Sequence, residues 1–221
     1  MYYDIVEKFV SINGEGKKSG ELAIFFRFAG CNLSCSYCDT KWANMQGVSA
    51  EKMTEEDILI YIKKEKIYNV VLTGGEPLFR TGMRQLILYL LQNADIHIEI
   101  ETNGSINLEE YINISEKISL TVDYKLPSSK MEKRMCLNNL EILRKNDSVK
   151  FVVGDNRDLI RTKEIIDSYN LSSRVNVLIS PIYSAIDLKE IVEFMKKNRL
   201  NGVTLQIQLH KLVWDNETRG V

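Results

Sequence analysis

The sequence predicts an α/β protein built on a mostly parallel sheet, and three observations carry that expectation. Short apolar runs rich in Val, Ile and Phe alternate with amphipathic stretches along most of the chain. This is the pattern of βαβ units, whose crossover helices make successive strands parallel. The polar and glycine-bearing segments fall where the apolar runs end, at the strand carboxyl ends where such sheets gather ligand-binding groups. The totals agree: 221 residues suffice for one α/β domain, and 44% hydrophobic with 27% charged residues is an ordinary globular balance. Three prolines and no low-complexity linker leave no place to divide the chain, so residues 1–221 are expected to form one domain.

Charge and hydropathy narrow the partners. A net charge of −1 gives no global field, and there is no basic stripe, so neither nucleic acid nor an anionic membrane is expected to bind. No apolar run approaches the ~18–20 residues of a membrane span. The start, Met1-Tyr2-Tyr3-Asp4, lacks the basic-then-apolar pattern of an export signal. Reduced thiols and a cytoplasmic location follow as expectations.

Taken in order, residues 4–12 alternate apolar and polar (Ile5, Phe9 and Ile12 among them) and predict an edge strand or extended lead-in. It ends at Gly14-Glu15-Gly16, a tight turn whose backbone can lie close to a ligand. Residues 22–28 read as a buried strand interrupted by Arg27. A charge there is costly unless paired. It either bridges to a neighbour such as Glu15 or faces a pocket and forks onto a ligand. After a cysteine-bearing loop, Thr54 and the acids behind it start a helix that runs to about Lys66, its basic end suiting the helix dipole. Residues 69–73 form a short buried strand closed by Gly74-Gly75-Glu76-Pro77. Helices are then expected near 81–93, 108–116, 131–145, 158–169 and 185–198, alternating with strands at 96–102, 118–124, 148–153 and 174–180. Glu101 to Asn103, Asp123 to Lys125 and Ser180 to Tyr183 end three of these strands on the same rim.

Cys31, Cys35 and Cys38, spaced C-x3-C-x2-C, let three thiolates converge from one loop. In a reducing compartment, cysteines this close are more often metal ligands than disulfide partners. An iron–sulfur cube normally takes four cysteines, so three would leave one iron open to something other than protein. A structural zinc site, the competing reading, wants a fourth side chain, and the remaining Cys136 lies far along the chain. The expectation is a site-differentiated [4Fe–4S] cluster.

The C-x3-C-x2-C spacing with Tyr37 before the third cysteine resembles the radical S-adenosylmethionine enzymes, as does the strand ending in Gly74-Gly75-Glu76-Pro77. The resemblance implies an incomplete (β/α)6-type partial barrel, the radical SAM fold. It also implies an open iron that chelates S-adenosylmethionine and a reduced cluster that cleaves it to a 5′-deoxyadenosyl radical. Three further features resemble the 7-carboxy-7-deazaguanine synthases of the queuosine pathway: Gly14-Glu15-Gly16, Cys38-Asp39-Thr40, and the ending from Gln208 through His210 and Trp214 to Val221. That likeness runs from the first strand to the last residue. It implies a Mg2+-dependent lyase converting 6-carboxy-5,6,7,8-tetrahydropterin to 7-carboxy-7-deazaguanine and ammonia. The radical would take hydrogen from substrate C6 and return it after ring contraction.

Residue by residue, the resemblance makes Cys31, Cys35 and Cys38 the cluster ligands and Thr40 the Mg2+ ligand. Ile12, Asn13, Gly14, Arg27 and Thr73 match pterin-binding positions, and Glu15 suits the guanidine-like edge of a pterin. His210 and Val221, in the tail, are further substrate candidates. Tyr37, Asp39, Gly75, Asp123, Tyr124 and Lys125 match segments that hold S-adenosylmethionine. Two departures stand out: Asn13 replaces a common glutamine, and Asp123-Tyr124-Lys125 replaces a common Ser-Pro-Lys. The chemistry implies a flavodoxin or ferredoxin as electron donor, and the family a homodimer. The rivals are a glycyl-radical-enzyme activase or other small radical enzyme, and more distantly a non-enzymatic zinc-binding module. No side chain is assigned as an acid or base. His97 is expected to be structural and Cys136 a buried small hydrophobe, while Trp42 and Trp214 suit either core or pocket.

Overall fold

The computed structural model describes residues 1–45, 47–215 and 218–220. Strand β1 (Tyr3–Ile12) pairs antiparallel with β2 (Leu22–Phe28), and the short β3 (Glu51–Met53) adds antiparallel to the other side of β1. Helix α1 (Glu55–Glu65) begins in a capping box: the Asp57 N–H donates to Thr54 Oγ1 at 3.2 Å, and the Thr54 N–H donates back to the Asp57 carboxylate at 2.8 Å. The chain continues through β4 (Asn69–Gly74), α2 (Met83–Asn93), β5 (His97–Thr102), α3 (Glu109–Ile112), β6 (Ile118–Tyr124) and α4 (Asn138–Ile142). It ends with β7 (Ser148–Val153), α5 (Asn156–Ser168), β8 (Asn176–Pro181), α6 (Leu188–Asn198), β9 (Val203–Leu205) and α7 (His210–Val213).

The nine strands of the described residues form one sheet in the order β3-β1-β2-β4-β5-β6-β7-β8-β9, parallel from β2 onward. Among the described residues β3 and β9 do not pair, so the partial barrel stays open, as expected. Six of the seven parallel strands are those read from the sequence. The seventh, β9, and the edge strand β3 are three residues each, too short for alternation to show.

Period-two alternation sorts the strand side chains between two faces. Ile24, Phe26 and Phe28, Val70 and Leu72, Ile98 and Ile100, and Leu120 and Val122 join Ile58, Ile62, Leu86 and Leu90 of α1 and α2 in the main core. The alternate positions carry Arg27, Thr73, Glu99, Glu101, Thr121, Asp123 and Lys150. Polar side chains on a buried sheet face must find partners or bind a ligand. This is the face that holds the site.

Two helices are shorter than expected. The stretch 131–145 contains only α4 and a preceding 3-10 turn, because Asn139 works as a strap between loops. Its amide donates to the carbonyls of Gly104 at 3.1 Å and Ile106 at 2.8 Å, and its Oδ1 accepts the Leu108 N–H at 3.0 Å. In place of 108–116, α3 is the single turn Glu109–Ile112, capped by Asn113.

Candidate active site

At the carboxyl ends of the strands lies a cavity of roughly 500 Å3. The cysteine loop, the Gly14-Glu15 turn, Thr73 to Gly75, Glu101 to Asn103, Asp123, Lys125, Lys150 and the tail around His210 all line it.

The cysteine loop is pinned by its backbone. The Ser36 N–H donates to Ser129 O at 3.1 Å, Cys38 N–H to Cys35 O at 3.3 Å, and Gly30 N–H to Ala43 O at 3.3 Å. Cys31 Sγ accepts from the Leu33 N–H at 3.4 Å and the Asn103 amide at 3.5 Å. Burial pushes the Cys31 and Cys35 thiols up, Lys125 pulls Cys35 back down, Cys31 is raised further by Cys38, and Cys35 by both Cys31 and Cys38. Thiolates crowded this way need a cationic centre to compensate them. Among the described residues no three His, Cys, Asp or Glu side chains are placed to hold a single ion. Three soft sulfurs facing one cavity instead fit an iron–sulfur cube, which offers each thiolate its own iron. Thr40, with Oγ1 3.5 Å from Cys38 Sγ, supplies a hard oxygen beside them.

The glycine pair is needed for more than ligand access. A Cβ on Gly74 would lie 2.3 Å from the Phe28 carbonyl oxygen, and one on Gly75 2.1 Å from that of Gly30. The Gly75 and Glu76 N–H groups donate to Phe28 O at 3.1 Å and Gly30 O at 3.0 Å. This strand end therefore has acceptors, not these donors, to offer a ligand ammonium. The buried Glu76 carboxylate accepts from the backbone N–H groups of Leu78 at 3.0 Å and Asn103 at 2.6 Å and from the Thr102 hydroxyl at 2.8 Å. It thereby fixes Asn103, which touches Cys31.

Arg27 does face the cavity, but its partner is Glu7 at 3.0 Å. Glu15 is instead held through Oε2 by Lys150 at 2.8 Å, while Glu15 Oε1 is buried with no partner among the described residues. The Tyr37 hydroxyl is likewise buried and unpartnered. Asn13 turns its amide to Glu99 Oε2 at 2.7 Å, and Thr121 donates to Glu99 Oε1 at 2.6 Å. The Asn13 side chain thus anchors the turn, leaving backbone as its contribution to a ligand. His210 packs over Gly14, where a Cβ would lie 2.3 Å from its Nδ1, and burial lowers its pKa so that the ring is neutral at pH 7. In the tail, Lys211 lies 3.6 Å from Asp39, and the Arg219 guanidinium sits 4.2 Å from the Trp42 ring centroid.

Ile12, Asn13, Gly14, Glu15, Arg27, Cys31, Cys35, Tyr37, Cys38, Asp39, Thr40, Thr73, Gly75, Asp123, Lys125 and His210 are all brought together here. Tyr124 is not. It lies on the helix-side face of β6, packs on Phe151 at 5.5 Å and donates to Glu132 at 3.1 Å, because Asp123 and Lys125 on either side of it point the other way. Any contact from it to a cofactor would come from backbone. Val221 lies outside the described residues. His97 shares a 2.9 Å hydrogen bond with Ser119 at the opposite end of β5, and Cys136 is half-buried rather than buried. Trp42 lines the cavity.

Sequence reasoning missed Glu7 and Lys150, and it named Glu101 only as a strand end. Glu101 accepts from Thr73 Oγ1 at 2.7 Å, and burial raises its pKa to about 7 against the pull of Lys150. A carboxyl raised in the folded state holds a proton that the unfolded chain has lost. Its contribution therefore falls as pH rises from about 4.5 to about 7 and is level above that. Glu101→Gln is accordingly expected to gain stability relative to the parent by a few kcal/mol across that window, at ~1.4 kcal/mol per unit. Urea unfolding of both proteins from pH 4.5 to 8 checks this. A constant difference would remove Glu101 as the group being titrated.

Fold and cavity together define a radical S-adenosylmethionine enzyme, and the model of the Radical SAM superfamily matches residues 26–127. A 7-carboxy-7-deazaguanine synthase of Clostridium acetobutylicum is 52% identical over 221 residues, 100% of each chain. One from Leptospira interrogans is 36% identical, covering 97% of this chain and 96% of that one. The crystal structure of QueE from Escherichia coli superposes with a TM-score of 0.74 over 94% of each chain at 24% identity, a likeness of fold. The chain belongs to the 7-carboxy-7-deazaguanine synthase family. It is a lyase of queuosine biosynthesis that works by radical ring contraction on a small-molecule substrate, with a [4Fe–4S] cluster and S-adenosylmethionine as cofactors.

Proposed function

We propose that the cavity holds 6-carboxy-5,6,7,8-tetrahydropterin against the Gly14-Glu15 turn and converts it there to 7-carboxy-7-deazaguanine and ammonia. The observation that carries this is Glu15, which lines the same cavity as three thiols and whose buried Oε1 has no hydrogen-bond partner among the described residues. A pterin presents N–H donors on its guanidine-like edge, and an unpaired carboxylate oxygen accepts one of them in a charge-assisted bond. Backbone of Ile12 to Gly14, the Thr73 hydroxyl and the neutral His210 ring frame the same ligand, and Arg27 offers its guanidinium to the substrate carboxylate.

Cys31, Cys35 and Cys38 would hold the cluster, and Thr40 would give Mg2+ one oxygen ligand, the rest being water and substrate. Tyr37, Asp39, Gly75, Asp123 and Lys125 would hold S-adenosylmethionine, with backbone from Tyr124. Bound together, cluster and S-adenosylmethionine supply the radical; the chain's own residues bind, orient and keep water out. Glu101, poised near neutrality, is the group placed to hold or release a proton when ammonia leaves. A flavodoxin or ferredoxin as one-electron donor, a homodimer and the cytoplasm complete the reading. No described helix is long and apolar enough to cross a membrane.

The test is anaerobic reconstitution, reduction, and addition of S-adenosylmethionine, Mg2+ and the tetrahydropterin, with mass spectrometry following the pterin. Conversion to 7-carboxy-7-deazaguanine is the expected result. Cleavage of S-adenosylmethionine with the pterin untouched would keep the cluster chemistry and remove this substrate. Glu15→Ala is expected to lower kcat/KM by about 10- to 100-fold, the worth of one charged hydrogen bond of ~1.5–3 kcal/mol. The loss should fall mainly on KM, read from initial rates against pterin concentration.

A further inference from the structure

A single ammonium joins the two halves of the cavity. Lys150 lies on β7 directly across from Asp123 of β6 in the sheet register. Its Nζ is 2.8 Å from Glu15 Oε2 and 3.0 Å from Asp123 Oδ1, while Asp123 Oδ2 is 2.9 Å from Lys125 Nζ. The four charges alternate in sign from the turn that faces the pterin to the strand end that faces the cofactor. Lys150 is 6% exposed and Glu15 8%, so solvent does little to screen them. Without the ammonium, the carboxylates of Glu15 and Asp123 would face each other across a buried gap, also near Glu101. The Gly14-Glu15 turn is a loop, and this contact from a central strand is what fixes its carboxylate, leaving Oε1 without a partner among the described residues.

We propose that Lys150 is a positioning residue that aims Glu15 at the pterin and, through Asp123, couples pterin binding to S-adenosylmethionine binding. This rests on the site reading above. Cofactor bound against Asp123 and Lys125 fixes Asp123, which fixes Lys150 and with it Glu15, so the second ligand meets a site already set. By linkage the effect is the same in either order of binding.

The experiment uses cluster-loaded protein in its oxidised, non-turnover state. It is titrated with 6-carboxypterin, an unreactive form of the substrate, with and without saturating S-adenosylmethionine. The parent protein is expected to bind the pterin about 5-fold more tightly when the cofactor is present, at the lower end of ordinary coupling between sites. Lys150→Met should weaken pterin binding at least ~10-fold and bring that ratio to about 1, as expected when a charged contact is lost. Lys150→Arg should restore most of the ratio. Asp123→Asn should abolish it even if Lys150→Met does not fold. Thr73→Val, outside the chain of charges, should weaken pterin binding equally with and without cofactor. An unchanged ratio in Lys150→Met and Asp123→Asn, or no coupling in the parent, would overturn the linkage while leaving the site reading in place. A parent protein that does not bind the pterin at all would overturn both.

Discussion

Cys35→Ala is expected to give a colourless protein that folds and binds the pterin but forms no product, a loss of more than ~1,000-fold, or ~4 kcal/mol of barrier. Cys35 is the buried member of the three thiols, at 9% exposure, and Cys31 and Cys38 are half-buried. Burial resists ionisation of Cys35 and only Lys125 assists it, so on the proposed reading this thiolate would form on meeting iron. Two thiols do not make the three-point seat, and the remaining Cys136 is no replacement: it sits in the link before α4, outside the cavity. The fold should tolerate the change. Backbone groups of Ser36, Ser129, Cys38 and Cys35 make bonds that shape the loop, and the sulfur contacts within it belong to Cys31 and Cys38, not to Cys35. Glu15 and Arg27, on the other side of the cavity, keep their partners Lys150 and Glu7. Absorbance, iron content and pterin titration on one preparation separate these outcomes. A brown, active Cys35→Ala protein would place the cluster on other residues.

The parallel core was legible because its strands are long enough for alternation to show and because each ends in chemistry. The cysteine loop was legible because its three ligands are close in sequence. What escaped depends on distance along the chain. Lys150 interrupts the apolar run Ser148-Val149-Lys150-Phe151-Val152-Val153 just as Arg27 interrupts the first strand, and the same argument about a charge in a buried strand applies to both. Its partner Glu15, however, is 135 residues away, and nothing local names it. Arg27 shows the converse: the nearby carboxylate was Glu15, but antiparallel pairing of β1 with β2 brings Glu7 opposite Arg27 instead. Tyr124 lies within a segment that matches the family's motif, but strand alternation places its side chain on the opposite face to Asp123 and Lys125. The use of the Asn13 side chain, an amide held by Glu99, was also hidden, since that contact spans 86 residues.

Gly75→Ala is expected to cost about 2–4 kcal/mol of stability, from overpacking of ~1–3 kcal/mol and one backbone hydrogen bond worth ~1. For a chain of this size that lowers the melting temperature by roughly 5–10 °C. The reason lies in the packing of backbone on backbone. The new Cβ would sit 2.1 Å from both the Gly30 carbonyl oxygen and Asn44 Oδ1, and the carbonyl cannot rotate away as a flexible side chain would. Gly30 already accepts the Glu76 N–H at 3.0 Å and directly precedes Cys31. Relief of the clash therefore moves Cys31, the first of the proposed cluster ligands. Iron content should fall along with stability, and the two should fall together across preparations. Gly47→Ala is the control, because its φ of +78° is strained for alanine but the added Cβ would meet nothing within 4 Å among the described residues. It should lose only ~1 kcal/mol, and its iron content should match the parent. If Gly75→Ala instead melts like the parent with full iron and loses only S-adenosylmethionine affinity, the glycine serves ligand approach alone. The close contact with Gly30 would then be slack enough to absorb a methyl group.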